Sequence, residues 1–171
     1  SDATITNQAV CVESFATVFD LNLITTAATS AGGTFTILGG TGTGFVSGTS
    51  LNATVAGDFV MQYGFDLNAD GDFDDLCESV GTATLTLTHQ PAAAFDLPSV
   101  ICADEITGVD LNTYLTSPTY SGGEPTRTWT IASGPATVNA DGTNFTPISF
   151  GTVSVSLLEE AGTCTDIISK E

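Results

Sequence analysis

One pattern written twice constrains this chain more than any other feature. The first copy reads Ala-Val-Cys-Val-Glu-Ser from Ala9 to Ser14 and Phe-Asp-Leu-Asn from Phe19 to Asn22. The second reads Val-Ile-Cys-Ala-Asp-Glu from Val100 to Glu105 and Val-Asp-Leu-Asn from Val109 to Asn112. A glycine pair follows in each, Gly32 with Gly33 and Gly122 with Gly123. Then comes Thr-Phe-Thr-Ile at Thr34 to Ile37, matched by Thr-Trp-Thr-Ile at Thr128 to Ile131, the second copy carrying the short insertion Glu124 to Arg127. Leu51 stands six residues before Gly57, and Phe145 six before Gly151. Each of these glycines opens an alternating run, Asp58 to Tyr63 or Thr152 to Leu157, and each copy then reaches a second cysteine, Cys77 or Cys164. Self-similarity at this period marks a structural unit used twice, and each half is long enough to bury a core of its own.

The elements inside each copy read as strands. Thr, Val, Ala and Gly abound, glycine and proline punctuate short runs, and no stretch of ten or more residues holds a helical period. The step from Cys11 to Cys102 is 91 residues, which suits a sandwich of about seven short strands with turns every 8 to 12 residues. The expected fold is all-β, two tandem immunoglobulin-like β-sandwich domains. Phe35 and Trp129 fall on alternating strands and are expected to pack between sheets, with sugar stacking as the less favoured role for Trp129. Thr82 to Thr88 alternates as the last strand of the first copy, and His89 to Ala94 reads as the start of a short linker with His89 facing solvent.

Four cysteines, one histidine and no Cys-x-x-Cys exclude a zinc site or a thioredoxin-like motif. Disulfides in an oxidising compartment fit better. Four cysteines allow three connectivities, and the repeat alone favours Cys11 with Cys77 and Cys102 with Cys164. In the loop-entropy picture each closure contributes roughly 4 kcal/mol.

The only concentrated chemistry lies between Phe65 and Cys77, in Phe-Asp-Leu-Asn-Ala-Asp-Gly-Asp-Phe-Asp-Asp-Leu-Cys. Asp66, Asn68, Asp70 and Asp72 alternate around Gly71, and Asp74 and Asp75 follow. This is the spacing at which a curled loop points oxygen ligands to one centre, with glycine allowing the bend. So many acidic side chains would repel one another strongly without a cation, and calcium, in a structural role, is the expected ligand. Cys77 stands where an EF-hand has its bidentate Glu, and neither flank reads as a helix, so the loop is not an EF-hand. It is closer to the shorter Asp-x-[Asp/Asn]-x-Asp-Gly loops between strands, in which Asp74 or Asp75 closes the shell. The alternative is a solvated acidic hairpin tip.

The formal charge is −18, with Arg127 and Lys170 as the only basic side chains. Such a surface has no electrostatic basis for phosphate-backbone binding, so nucleic acid is excluded as a partner. No apolar run is long enough to span a bilayer. Nucleophilic catalysis needs a base near Ser or Cys, and the sole histidine sits in the expected linker. Paired carboxylates facing across a cleft would be required for glycoside hydrolysis, whereas these cluster in one loop. No catalytic residue is expected. A carbohydrate-binding module is a rival reading, for which Tyr114 and Tyr120 are the aromatics to test.

With the cysteines, Asp-Leu-Asn, the glycine pair, Thr-[Phe/Trp]-Thr-Ile and the strand-opening glycine laid out, the chain resembles the tandem immunoglobulin-like repeats of large surface adhesins from Bacteroidetes, including gliding-motility adhesins exported by the type IX system. The resemblance implies secretion, an extracellular or cell-surface location, and adhesion or spacing rather than catalysis, with adjacent repeats, other copies or surface glycans as partners. The second copy has Leu158-Glu159-Glu160-Ala161-Gly162-Thr163 in place of the acidic loop, so calcium is expected in the first only. The expected boundaries are an N-terminal strand at 1–8, a first domain at 9–90, a linker at 91–97 and a second domain at 98–171 with a truncated last strand. Ala3-Thr4-Ile5-Thr6 resembles Ala83-Thr84-Leu85-Thr86. Residues 1–8 are therefore read either as the end of a preceding repeat in a longer array or as a donor strand completing the second domain of the next molecule in a head-to-tail filament.

Overall fold

A computed structural model describes the chain apart from residues 1, 14–17, 28, 30, 67, 69–72, 74–77, 101–107, 121–122 and 141. It is all-β: the helical elements among the described residues are two four-residue 3-10 turns, Leu21–Ile24 and Leu111–Tyr114. Among the described residues no helix is long and apolar enough to cross a membrane. The chain divides into two compact units, Ser1–His89 and Gln90–Glu171.

The first unit pairs a four-stranded sheet with a three-stranded one. Its strands are β1 (Gln8–Val12), β2 (Val18–Asp20), β3 (Thr34–Gly40), β4 (Thr43–Ser47), β5 (Ser50–Val55), β6 (Gly57–Phe65) and β7 (Ser79–His89). The sheet orders are β1-β7-β6-β3 and β2-β5-β4. All neighbours are antiparallel except β1 and β7, which run parallel from Gln8↔Leu85 to Val12↔His89. One core joins the sheets: Phe35, Phe59, Met61, Tyr63, Leu85 and Leu87 from the larger meet Leu51 and Ala53 from the smaller. Alternation fixes which residues these are, since side chains of period two fall on one face of a strand.

The second unit holds β8 (Val109–Asp110), β9 (Thr126–Ser133), β10 (Ala136–Val138), β11 (Asn144–Pro147), β12 (Ser154–Ala161) and β13 (Cys164–Lys170). The sheet orders are β13-β12-β9 and β10-β11-β8. Its core gathers Phe95, Leu111, Trp129, Phe145, Val155 and Leu157.

The repeated motifs have local physical causes. Asp20 and Asp110 cap the two 3-10 turns, each carboxylate accepting from the amide two residues on, at 3.0 Å from Asn22 and 2.9 Å from Asn112. Leu21 and Leu111 turn into the cores. The indole N–H of Trp129 donates to Asn112 Oδ1 at 3.1 Å, so the motif also satisfies the one polar atom of the buried aromatic. Gly57 and Gly151 adopt φ of 140° and 155°; a Cβ at Gly57 would lie 2.6 Å from the backbone nitrogen of Gly42, so only glycine fits there.

Two boundaries differ from the sequence expectation. Residues 1–8 do not stand apart, because Ala3 and Ile5 are buried in the core of the first unit and Ile5 bridges Thr25. Nor are residues 91–97 a linker, because Ala93 and Phe95 are buried in the second core and Phe95 bridges Leu115. The two bridges lie ninety positions apart, so each unit opens with the same stretch. In Ala93-Ala94-Phe95-Asp96-Leu97 the side chains of Ala93, Phe95 and Leu97 all reach that core, a strand-like alternation that the proline and alanines conceal. His89 is the last residue of β7, half-buried beside Val12, rather than a solvated linker residue.

Candidate functional site

The acidic loop joins β6 to β7 beyond the closing pair Phe65↔Ser79. Of the six expected ligands, Asp66 and Asn68 are described, half-buried and exposed respectively. Asp70, Asp72, Asp74 and Asp75 lie outside the described residues. Phe73 is described and its ring covers Gly64, where a Cβ would approach it to 2.4 Å. The loop is thus pinned to β6 by an aromatic contact that requires glycine beneath it. Among the described residues no group of three metal-ligating side chains is gathered.

Cys11 and Cys164 are both disulfide-bonded; Cys77 and Cys102 lie outside the described residues. The register bears on the expected pairing. Cys11 lies alongside Thr88, whereas Ser79, two residues after Cys77, pairs with Phe65 at the opposite end of β7. Nine strand residues span about 30 Å, and a disulfide needs Cα atoms within about 7 Å. A Cys11–Cys77 bridge does not fit that register.

Sequence reasoning missed a buried ionic cluster in the second unit. Glu159 has no exposed surface, although it sits in the alternating series Val155, Leu157, Glu159 on β12. Its cross-strand neighbour on β9 is Arg127, whose Nε donates to Glu159 Oε1 at 2.8 Å. A second guanidinium nitrogen bonds Glu124 Oε2 at 2.8 Å. Tyr120 donates its hydroxyl to Glu159 Oε2 at 3.1 Å and accepts from the amide of Ala92 at 2.7 Å. Beside it, Asp166 Oδ2 accepts from the amide of Ala93 at 2.8 Å. Burial raises the Tyr120 pKa above its ordinary value, helped by the negative charge of Glu159. For Arg127 burial works downward, but the bonds to Glu159 and Glu124 outweigh it and the guanidinium is held more firmly charged.

The insertion Glu124 to Arg127 therefore supplies the partner of a buried carboxylate. Counting from the matched pairs Phe35↔Tyr63 and Trp129↔Leu157, Glu159 occupies the place of Phe65 in the first unit. The signal available in the sequence was a glutamate in an apolar slot together with the chain's single arginine. The cluster ties the opening segment of the unit to its main sheet. Trp129 is 3% exposed and offers no free aromatic face to a sugar, while Tyr120, half-buried, has its hydroxyl engaged in the cluster.

The chain matches no protein-family model and no curated protein significantly.

Proposed function

We propose that the chain is a structural or adhesive segment of a secreted, cell-surface protein, built of two immunoglobulin-like sandwiches and of the kind found in tandem-repeat bacterial adhesins. The observation that carries this reading is what the repeat conserves between its two copies. Asp20 and Asp110, Leu21 and Leu111, Phe35 and Trp129, Gly57 and Gly151 all serve as caps, core residues or turn residues. What is duplicated is scaffold, as expected when units are strung together to extend or present a surface. The immunoglobulin-like assignment is supported by the orders β1-β7-β6-β3 and β2-β5-β4, a seven-strand sandwich with neighbours of this kind. Disulfide-bonded cysteines accord with an oxidising compartment, and the net charge of −18 with a saline or cation-rich exterior.

Calcium at Asp66, Asn68, Asp70, Asp72, Asp74 and Asp75 belongs to the same proposal. The ion would neutralise the loop and fix the β6–β7 connection. The filament reading is less well supported at its donor end, because Ala3 and Ile5 would have to leave their own core to serve another molecule.

The test is immunolabelling of intact and permeabilised source cells with antibody raised against the 171-residue chain. Labelling of intact cells, removed by external protease, is the expected result; labelling only after permeabilisation would refute a surface location.

A further inference from the structure

The smaller sheet of each unit carries an Asn-x-Thr triplet, Asn52-Ala53-Thr54 on β5 and Asn144-Phe145-Thr146 on β11. In secreted proteins Asn-x-[Ser/Thr], with x other than proline, is the acceptor of N-linked glycans. A chain rich in threonine meets the pattern by chance, so the surroundings of each asparagine decide its meaning. Asn144 has Asp110 as its cross-strand neighbour, and its amide nitrogen donates to Thr143 Oγ1 at 3.1 Å.

Asn52 is placed differently. Leu51 and Ala53 are buried, so alternation turns Asn52 and Thr54 to the outer face of the sheet. The pairs Val18↔Asn52 and Phe45↔Asn52 set a valine and a phenylalanine on either side of it in one cross-strand row. Both flanks are open to solvent, Val18 at 52% and Phe45 at 60%. The second unit has the same row without them. Counting from Leu51 and Phe145, Thr146 takes the place of Asn52, and its neighbour is Thr137. Counting from Phe19 and Val109, Gly108 stands where Val18 does. Bare apolar side chains thus accompany the asparagine and not the threonine.

We propose that Asn52 carries an N-linked glycan whose first sugar lies over the Phe45 ring. The donor is a lipid-diphosphate-linked oligosaccharide. The Asn52 amide nitrogen bonds to the anomeric carbon, the bond from that carbon to the phosphate oxygen breaks, the lipid diphosphate leaves with the electron pair, and the amide gives up one proton. Thr54 supplies the hydroxyl of the acceptor triplet. Because β5 lies between β2 and β4, transfer precedes closure of the sheet, and the outer face then accommodates the sugar without disturbing the core. The apolar face of a sugar ring removes Phe45 surface from water, which accounts for an aromatic left bare on an otherwise polar face. The inference requires export, as the proposed function does, but not adhesion.

The experiment is mass spectrometry of the chymotryptic peptide containing Asn52, from protein isolated from its source cells. The expected peptide is heavier by the mass of an oligosaccharide and releases sugar fragment ions. The modification should vanish in Thr54→Ala and persist in Thr54→Ser, both at an exposed position. Enzymatic removal of the glycan should lower the melting temperature of the first unit, followed by circular dichroism, by about 4 °C. In Phe45→Ser, where the side chain replaced is exposed, removal should leave it unchanged. Recovery of the bare Asn52 peptide alone would overturn the proposal, as would modification confined to Asn144. That failure on protein labelled at the surface of intact cells would leave the surface reading standing. Equal shifts with and without Phe45 would overturn the seating of the sugar on its ring.

Discussion

Glu159 shows at the scale of one residue how a sandwich core accommodates a charge. A carboxylate without exposed surface is strongly unfavourable unless paired and hydrogen-bonded, and here Arg127 and Tyr120 occupy both its oxygens. Removing one partner leaves the other buried and uncompensated. Arg127→Leu is therefore expected to destabilise the second unit by about 3 kcal/mol, measured by chemical denaturation read through Trp129. The double change Arg127→Leu with Glu159→Leu should recover most of that loss, because it removes both charges and fills the Glu159 place with an apolar side chain, as Phe65 does in the first unit. Tyr120 gives a pH signature. Its pKa is raised in the folded state, so its contribution to stability is complete below the ordinary tyrosine value of about 10 and is lost as pH rises through the folded value. Alkaline titration at 295 nm should show a late-titrating tyrosine signal that is lost in Tyr120→Phe. Asp-Leu-Asn was legible because cap, core contact and acceptor each answer a need within a few residues. The ionic cluster was not, since Glu159 meets Arg127 across 32 residues and the insertion carrying the arginine has no counterpart in the first copy.

At the scale of elements, alternation and glycine located β3, β6, β7, β9 and β12, whose apolar faces are unmistakable in sequence. The opening segment of each unit was harder to see. Ala3 with Ile5, and Pro91 with Ala93 and Phe95, are the buried positions of these segments, and a proline and small alanines at such places give no apolar period for the sequence to show. Register was invisible too, and it matters for the cysteines. The parallel pairing of β1 with β7 carries Cys11 to the His89 end of the sheet, a placement that similar spacing in two copies could not reveal. Non-reducing peptide mapping is accordingly expected to find Cys11 bridged to a cysteine other than Cys77. A Cys11–Cys77 peptide would contradict the β1–β7 register.

Across the whole molecule, two cores of separate composition make two reporters available. The single tryptophan lies in the second core, so its fluorescence follows that unit alone, while circular dichroism follows both. If calcium occupies the loop between β6 and β7, replacing it with chelator should lower the dichroism transition assigned to the first unit and leave the fluorescence transition in place. Asp66→Ala should abolish the calcium response; equal responses in both signals would place the ion elsewhere.

The parallel contact of β1 with β7 also decides how the first unit answers a pull on its two ends. Tension drawn between the start of β1 and the end of β7 drives these strands past each other lengthwise. The five paired positions from Gln8↔Leu85 to Val12↔His89 then carry the load together instead of parting one by one. An antiparallel pair held at the same ends would peel open like a zip. A unit joined this way is a shear fastener, resisting most strongly along the direction in which a tethered chain is stretched.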